Sequence, residues 1–177
     1  VQKLTNNELG RPTLSTYHQL EKLPLILVLD NVRSALNVGS SFRTADAFRI
    51  EAIYLCGITA TPPNKEILKT ALGASDSVKW VYFEDTLEAV QQLKSNQYTV
   101  IAIEQTQNST MLNKANFIAQ KTAVVLGHEM DGVQQSVINS CDYCIEIPQE
   151  GTKHSLNVSV CAGILCWEYY RQNLTPQ

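Results

Sequence analysis

Short runs of branched apolar residues recur along the chain, and between them apolar positions return every three or four residues. The first pattern predicts strands over 25–29 (LILVL), 52–56 (AIYLC), 78–83, 98–103 (YTVIAI), 122–126 (TAVVL) and 143–147. The second predicts helices over 38–48, 65–71, 87–95, 133–140 and 156–171. The strand runs are continuous in Val, Ile and Leu, as in a parallel sheet buried on both faces. Strand–helix alternation then predicts an α/β fold, a mostly parallel sheet flanked by helices. Residues 1–24 read as an amino-terminal helical arm in which Pro12-Thr13 opens a helix, and 25–177 as the main domain.

Composition narrows the class. The 177 residues, 44% hydrophobic and 18% charged, fit one globular domain with a core large enough to need no staples. No apolar run approaches the ~20 residues that cross a bilayer, and the opening VQKLTNNELGRP has no apolar signal stretch. Neither a membrane nor a secretory route is expected. Five cysteines, an odd number lying partly in apolar runs, predict reduced thiols and a cytoplasmic location. The single CxxC of Cys141 and Cys144 falls short of a four-ligand zinc site, so no metal is expected. The net charge of −3 weighs against a non-specific nucleic-acid binder, although a local basic cluster can serve on an acidic body.

Candidate chemistry gathers in three loops that follow strands, where parallel sheets bind ligands. The first carries Asn31, Arg33, Asn37 and Gly39 and leads into a helix bearing Arg43. Asn37 is placed to cap that helix, Gly39 to admit a ligand against the backbone, and the free amides to attract phosphate. A capped helix with a solvated arginine accounts for the same residues equally well. In the second loop Gly127 and Gly132 bracket Glu129; a plain turn with Asp131 or a neighbour capping the next helix is the simpler account. The third segment, 145–171, has Pro148 ending a strand, Gly151 in a turn and Ser155 placed to cap a helix that starts with Asn157 and Ser159. No glycine pair is spaced GxG, and GxxxxGK[ST] is absent, which excludes the usual dinucleotide and triphosphate loops. His128-Glu129 begins like a zinc-protease motif, but Gly132 stands where the second ligand belongs.

Taken in order, these segments resemble the three motifs of the SpoU/TrmH family of RNA ribose 2′-O-methyltransferases, within the SPOUT superfamily. Asn31, Arg33, Asn37, Gly39 and Arg43 match the first motif, and Gly127, Glu129 and Gly132 the second; Ile147 through Val160, with its SLNVSV, matches the third. Gln149 departs from the pattern, standing where the third motif often has Met; Lys153-His154 fills a variable position. The resemblance spans about residue 25 to the carboxyl end. It implies an α/β knot with a carboxyl-terminal trefoil, a homodimer, and S-adenosylmethionine held by Leu126, Gly127, Gly132, Ile147, Ser155, Leu156 and Asn157.

The implied reaction transfers a methyl group from that cofactor, leaving S-adenosylhomocysteine, to a ribose 2′-hydroxyl of tRNA or rRNA. The resemblance assigns the first-motif Arg43 to the site, with Asn37 and Glu129 beside it and Asn31, Arg33 and Arg43 facing RNA. A guanidinium is an awkward base because it keeps its proton, so gripping a phosphate and aligning the hydroxyl is the role expected of Arg43. The short arm favours tRNA over rRNA. Two alternatives stay open: an RNA- or cofactor-binding module without catalysis, and a knotted methyltransferase acting on a base.

Overall fold

A computed structural model of the protein describes residues 1–5 and 7–174; Asn6 of the expected arm and the last three residues of the expected domain lie outside them. Seven strands form one sheet: β1 (Leu23–Asp30), β2 (Ile50–Cys56), β3 (Lys79–Phe83), β4 (Thr99–Ile103), β5 (Thr110–Met111), β6 (Thr122–Leu126) and β7 (Tyr143–Glu146). All pairings are parallel, and the order is β3-β2-β1-β6-β4-β7-β5. The chain builds outward through β2 and β3, crosses to the other side for β4 and β5, and then inserts β6 between β1 and β4 and β7 between β4 and β5. An ordinary doubly wound sheet does not fill its middle last.

The helices are α1 (Leu14–Gln19), α2 (Ala35–Ala47), α3 (Lys65–Ala71), α4 (Ala74–Ser77), α5 (Thr86–Ser95), α6 (Gln135–Ser140) and α7 (Val158–Asn173). Period-two side-chain alternation divides the sheet between two cores. Leu25, Leu27 and Leu29 of β1 face a core shared with α2, α3 and α7, in which Phe42, Ile67, Leu165 and Tyr169 are buried. Ile26 and Val28 face the opposite core, with Ala89, Val90 and Leu93 of α5 and Val137 of α6. Each such aliphatic side chain contributes roughly 1.5–3 kcal/mol on burial. The six predicted strands and five predicted helices all occur, and Thr13 caps α1.

Three helix starts differ from expectation, each for the same physical reason: the cap comes from somewhere else. Asn37 is not a cap but lies inside α2, which begins earlier; Ser34 is the cap, its hydroxyl accepting from the Asn37 amide at 3.4 Å. Ser155 does not cap α7; Asn157 does, its side-chain oxygen accepting from the Ser159 amide at 2.9 Å. Helix α6 has no side-chain cap of its own, and Asp131 does not supply one. The amide of Gln134 donates instead to Asp30 Oδ2, at 3.0 Å. Asp30 is fully buried at the end of β1, and its other oxygen accepts from Thr86 Oγ1 at 2.6 Å and Asn31 Nδ2 at 2.9 Å.

Gly39 likewise has a packing role rather than a ligand-facing one. A Cβ there would stand 2.1 Å from Thr70 Oγ1 and 2.4 Å from the Ile67 carbonyl oxygen, so glycine lets α2 and α3 touch. Gly39→Ala is expected to cost about 1–3 kcal/mol through forced separation of the two helices. A urea midpoint unchanged from wild type would contradict this.

Candidate active site

The sheet reverses direction of growth between β1 and β6; two of the three loops singled out above leave the carboxyl ends of these strands, and the third leaves that of β7. The loop after β6 is a tight turn: His128 N donates to Gly132 O at 3.0 Å and Gly132 N to His128 O at 2.9 Å. Two positions require glycine. A Cβ on Gly127 would lie 2.1 Å from the Gly132 carbonyl carbon, and Gly132 adopts φ +69°, which disfavours other residues. Inside the turn His128 Nδ1 accepts from the Met130 and Asp131 amides at 3.2 and 3.3 Å and faces Asp131 Oδ2 at 3.1 Å.

Glu129 reaches from this turn to the first loop. Its carboxylate accepts from the amides of Arg33 and Ser34 and from Asn37 Nδ2, all at 2.9 Å. Burial pushes the Glu129 carboxyl up, but the hydrogen bonds from Asn37, Arg33 and Ser34 outweigh it and hold the group below its ordinary value. The negative charge also sits at the amino end of α2, where the helix dipole favours it. Asn37 uses both ends of its amide: besides donating to Glu129, its Oδ1 accepts from Asn157 Nδ2 at 3.1 Å. A Glu129–Asn37–Asn157 chain therefore ties all three loops together.

Beside that chain opens a cavity of about 700 Å³, within the range that holds small ligands and cofactors. Every residue expected to hold the cofactor lines it: Leu126, Gly127 and Gly132 from the second loop, and Ile147, Ser155, Leu156 and Asn157 from the third. Glu129 borders it as well. The residues expected to face RNA lie elsewhere. Asn31, at φ +55°, spends its side chain inside the fold: Oδ1 accepts from the Ile58 amide at 3.1 Å and Nδ2 donates to Asp30. Arg33 is exposed, with only its amide engaged by Glu129. Arg43 is exposed on α2 and lines a separate groove with Ser40, Thr44, Phe48 and Lys69. Within a single chain, then, Arg43 does not reach the cavity beside which it was expected.

A further wall, absent from the three loops, comes from the end of β4 and the residues after it. Ile103, Glu104, Gln105 and Thr106 line the cavity, and Gln105 Nε2 donates to the His154 carbonyl across its mouth at 2.8 Å. The signal was there, an apolar strand turning abruptly polar, but without a glycine to draw attention to it.

The chain belongs to the SpoU rRNA Methylase family, whose model matches residues 24–167. It is 33% identical over 152 residues to the mouse tRNA (guanosine(18)-2′-O)-methyltransferase TARBP1, a match covering 85% of this chain and 10% of that protein. It is 30% identical over 155 residues to the 23S rRNA (guanosine-2′-O-)-methyltransferase RlmB of Neisseria meningitidis, covering 88% of this chain and 61% of the relative. The chain thus spans a tenth of one curated relative and about three-fifths of the other. Among solved structures, the A. aeolicus TrmH/SpoU tRNA modifying enzyme superposes with a TM-score of 0.80 at 25% identity, covering 90% of this chain and 81% of that one. The AdoMet-bound rRNA methyltransferase from Sinorhizobium meliloti shares the fold with a TM-score of 0.81 at 23% identity, over 90% and 61% of the two chains.

Proposed function

We propose that the protein transfers a methyl group from S-adenosylmethionine to a ribose 2′-hydroxyl of RNA. The observation that carries this is the Glu129–Asn37–Asn157 chain, which draws three distant segments to the rim of one cavity. The cavity suits the cofactor on its own chemistry: Leu126, Ile147 and Leu156 offer apolar walls for a flat ring, and carboxylates offer acceptors for donors and positive charge. Leu126, Gly127, Gly132, Ile147, Ser155, Leu156 and Asn157 would hold it. When bound, it supplies an electrophilic sulfonium methyl. The chain's own task is then to align a weakly nucleophilic hydroxyl and keep water away.

Alignment falls in this reading to Arg43, with Asn37 and Glu129 positioning the loops and Asn31 and Arg33 near the RNA path. Because Arg43 lies outside its own cavity, the reading includes a homodimer in which one subunit's Arg43 serves the other's cavity. The exposure of Trp167 (51%) and Val160 (48%) on α7, and the packing of Trp167 against Phe48 at the end of α2, support a partner on that face. The arm–domain division near residue 24, the trefoil threading and a cytoplasmic location, consistent with five free cysteines, belong to the same reading. Both curated relatives are named as guanosine 2′-O-methyltransferases, one of tRNA and one of 23S rRNA, and tRNA is the substrate favoured here.

The position of Arg43 also favours a second reading, a binding module without catalysis. Incubation with labelled S-adenosylmethionine and fractionated tRNA and rRNA, followed by nucleoside analysis, separates the two. A labelled 2′-O-methylnucleoside is expected; a labelled base, or no label with cofactor bound, would overturn the ribose reading.

A further inference from the structure

One cavity side chain has no part in the function proposed above. Glu104 follows β4 directly, and its amide donates to the Ile145 carbonyl at 3.0 Å, fixing the backbone against β7. Its carboxylate is held as firmly: Oε1 accepts from the Gln105 amide at 2.9 Å and Oε2 from the Val133 amide at 3.1 Å. Gly132 leaves room for it, since a Cβ there would fall 2.2 Å from Oε2.

Three carboxylates line the cavity, and their capacities differ. Glu129 is engaged by three donors of the first loop and α2. Asp131 is exposed and turned to His128. Glu104 receives one neutral amide on each oxygen, and a carboxylate offers about four acceptor positions. Two adjacent acceptors therefore remain, on a rigid group, at the carboxyl end of a parallel strand and beside apolar walls. Neither lysine nor arginine lines the cavity among the described residues, so no cation competes for them.

A pair of neighbouring acceptors matches a pair of neighbouring hydroxyl donors. Acidic residues in comparable places on other α/β sheets bind the ribose of a dinucleotide in this way. We infer that Glu104 recognises the ribose of the nucleoside cofactor, its two oxygens accepting from the 2′- and 3′-hydroxyls. The inference rests on the adenosyl-binding reading of the cavity and adds a specificity residue to it.

The test is a binding cycle read by calorimetry, with S-adenosylhomocysteine and its 2′,3′-dideoxy counterpart as ligands and wild type and Glu104→Gln as proteins. Wild type is expected to bind the dideoxy compound about tenfold more weakly. Glu104→Gln is expected to lose about tenfold on the parent ligand and little more when the hydroxyls are removed. Additive losses would overturn the assignment, because a merely structural role weakens both ligands alike. Equal wild-type affinity for the two ligands overturns it as well, however the variant folds. Failure of wild type to bind either ligand would sink the adenosyl-binding reading itself, a result distinguishable from both.

Discussion

Arg43→Ala is expected to lower methyl transfer to RNA by about 10²–10³-fold, the range seen when one preorganised charge-stabilising group is removed, while affinity for S-adenosylhomocysteine stays within about twofold. The two halves of this expectation come from different observations. Arg43 is exposed and lies in a groove apart from the cavity, so its removal leaves the cofactor walls intact. Its guanidinium is nonetheless suited to grip a phosphate in a fixed orientation, and misplacing a reacting hydroxyl is costly. Arg43→Lys keeps the charge but loses the planar fork, and should fall between wild type and alanine. If the arginine acts across a subunit boundary, mixing Arg43→Ala subunits with cavity-blocked Gly127→Val subunits restores activity. Wild-type turnover by Arg43→Ala would remove it from the mechanism.

Glu129→Ala is expected to destabilise the fold by about 3–4 kcal/mol, since it strips the acceptor from two amides and a side-chain amide together. Denaturant titration at neutral pH measures the loss directly. The effect has a pH signature whose sign follows from the lowered pKa of Glu129. A carboxyl held below its unfolded value contributes its full share above that value, about 4.3 for glutamate. The share fades as pH falls through the folded value, where both states carry the proton. The gap between wild type and Glu129→Gln should therefore be widest near neutrality and close on acidification below about 4. A gap independent of pH would mean that charge plays no part in the clamp.

Much of the architecture was legible in the chain because its core strands are unambiguous. TAVVL, short, continuous and rich in β-branched residues, reads as a buried strand, and the structure puts β6 at 122–126 as predicted. What escaped notice were elements that owe their form to neighbours: β5 is two residues long and exists by pairing with β7, and α4 is a single turn without apolar periodicity. Helix starts failed for a related reason. Local capping rules pointed to Asn37 and Ser155, whereas Ser34 and Asn157 hold those positions, and the Ser34 and Gln134 amides at the starts of α2 and α6 are satisfied by Glu129 and Asp30, distant in sequence. The site divided along the same line. Residues of the second and third loops converge because strands carry them there, and it was their match to the family's motifs that marked them. Arg43 sits on a helix face whose direction no spacing encodes, and Glu104 lacked any companion glycine.

The bonds that Glu129, Asn37 and Asp30 make between the loops span between 92 and 120 residues of sequence. With an all-parallel sheet containing no hairpin, every strand pairing must await closure of a long loop. Such a chain folds slowly for its size, and its reactive centre is among the last parts to acquire shape. The amides of Arg33 and Ser34 should then exchange with deuterium only when the whole domain opens, although both lie near the surface.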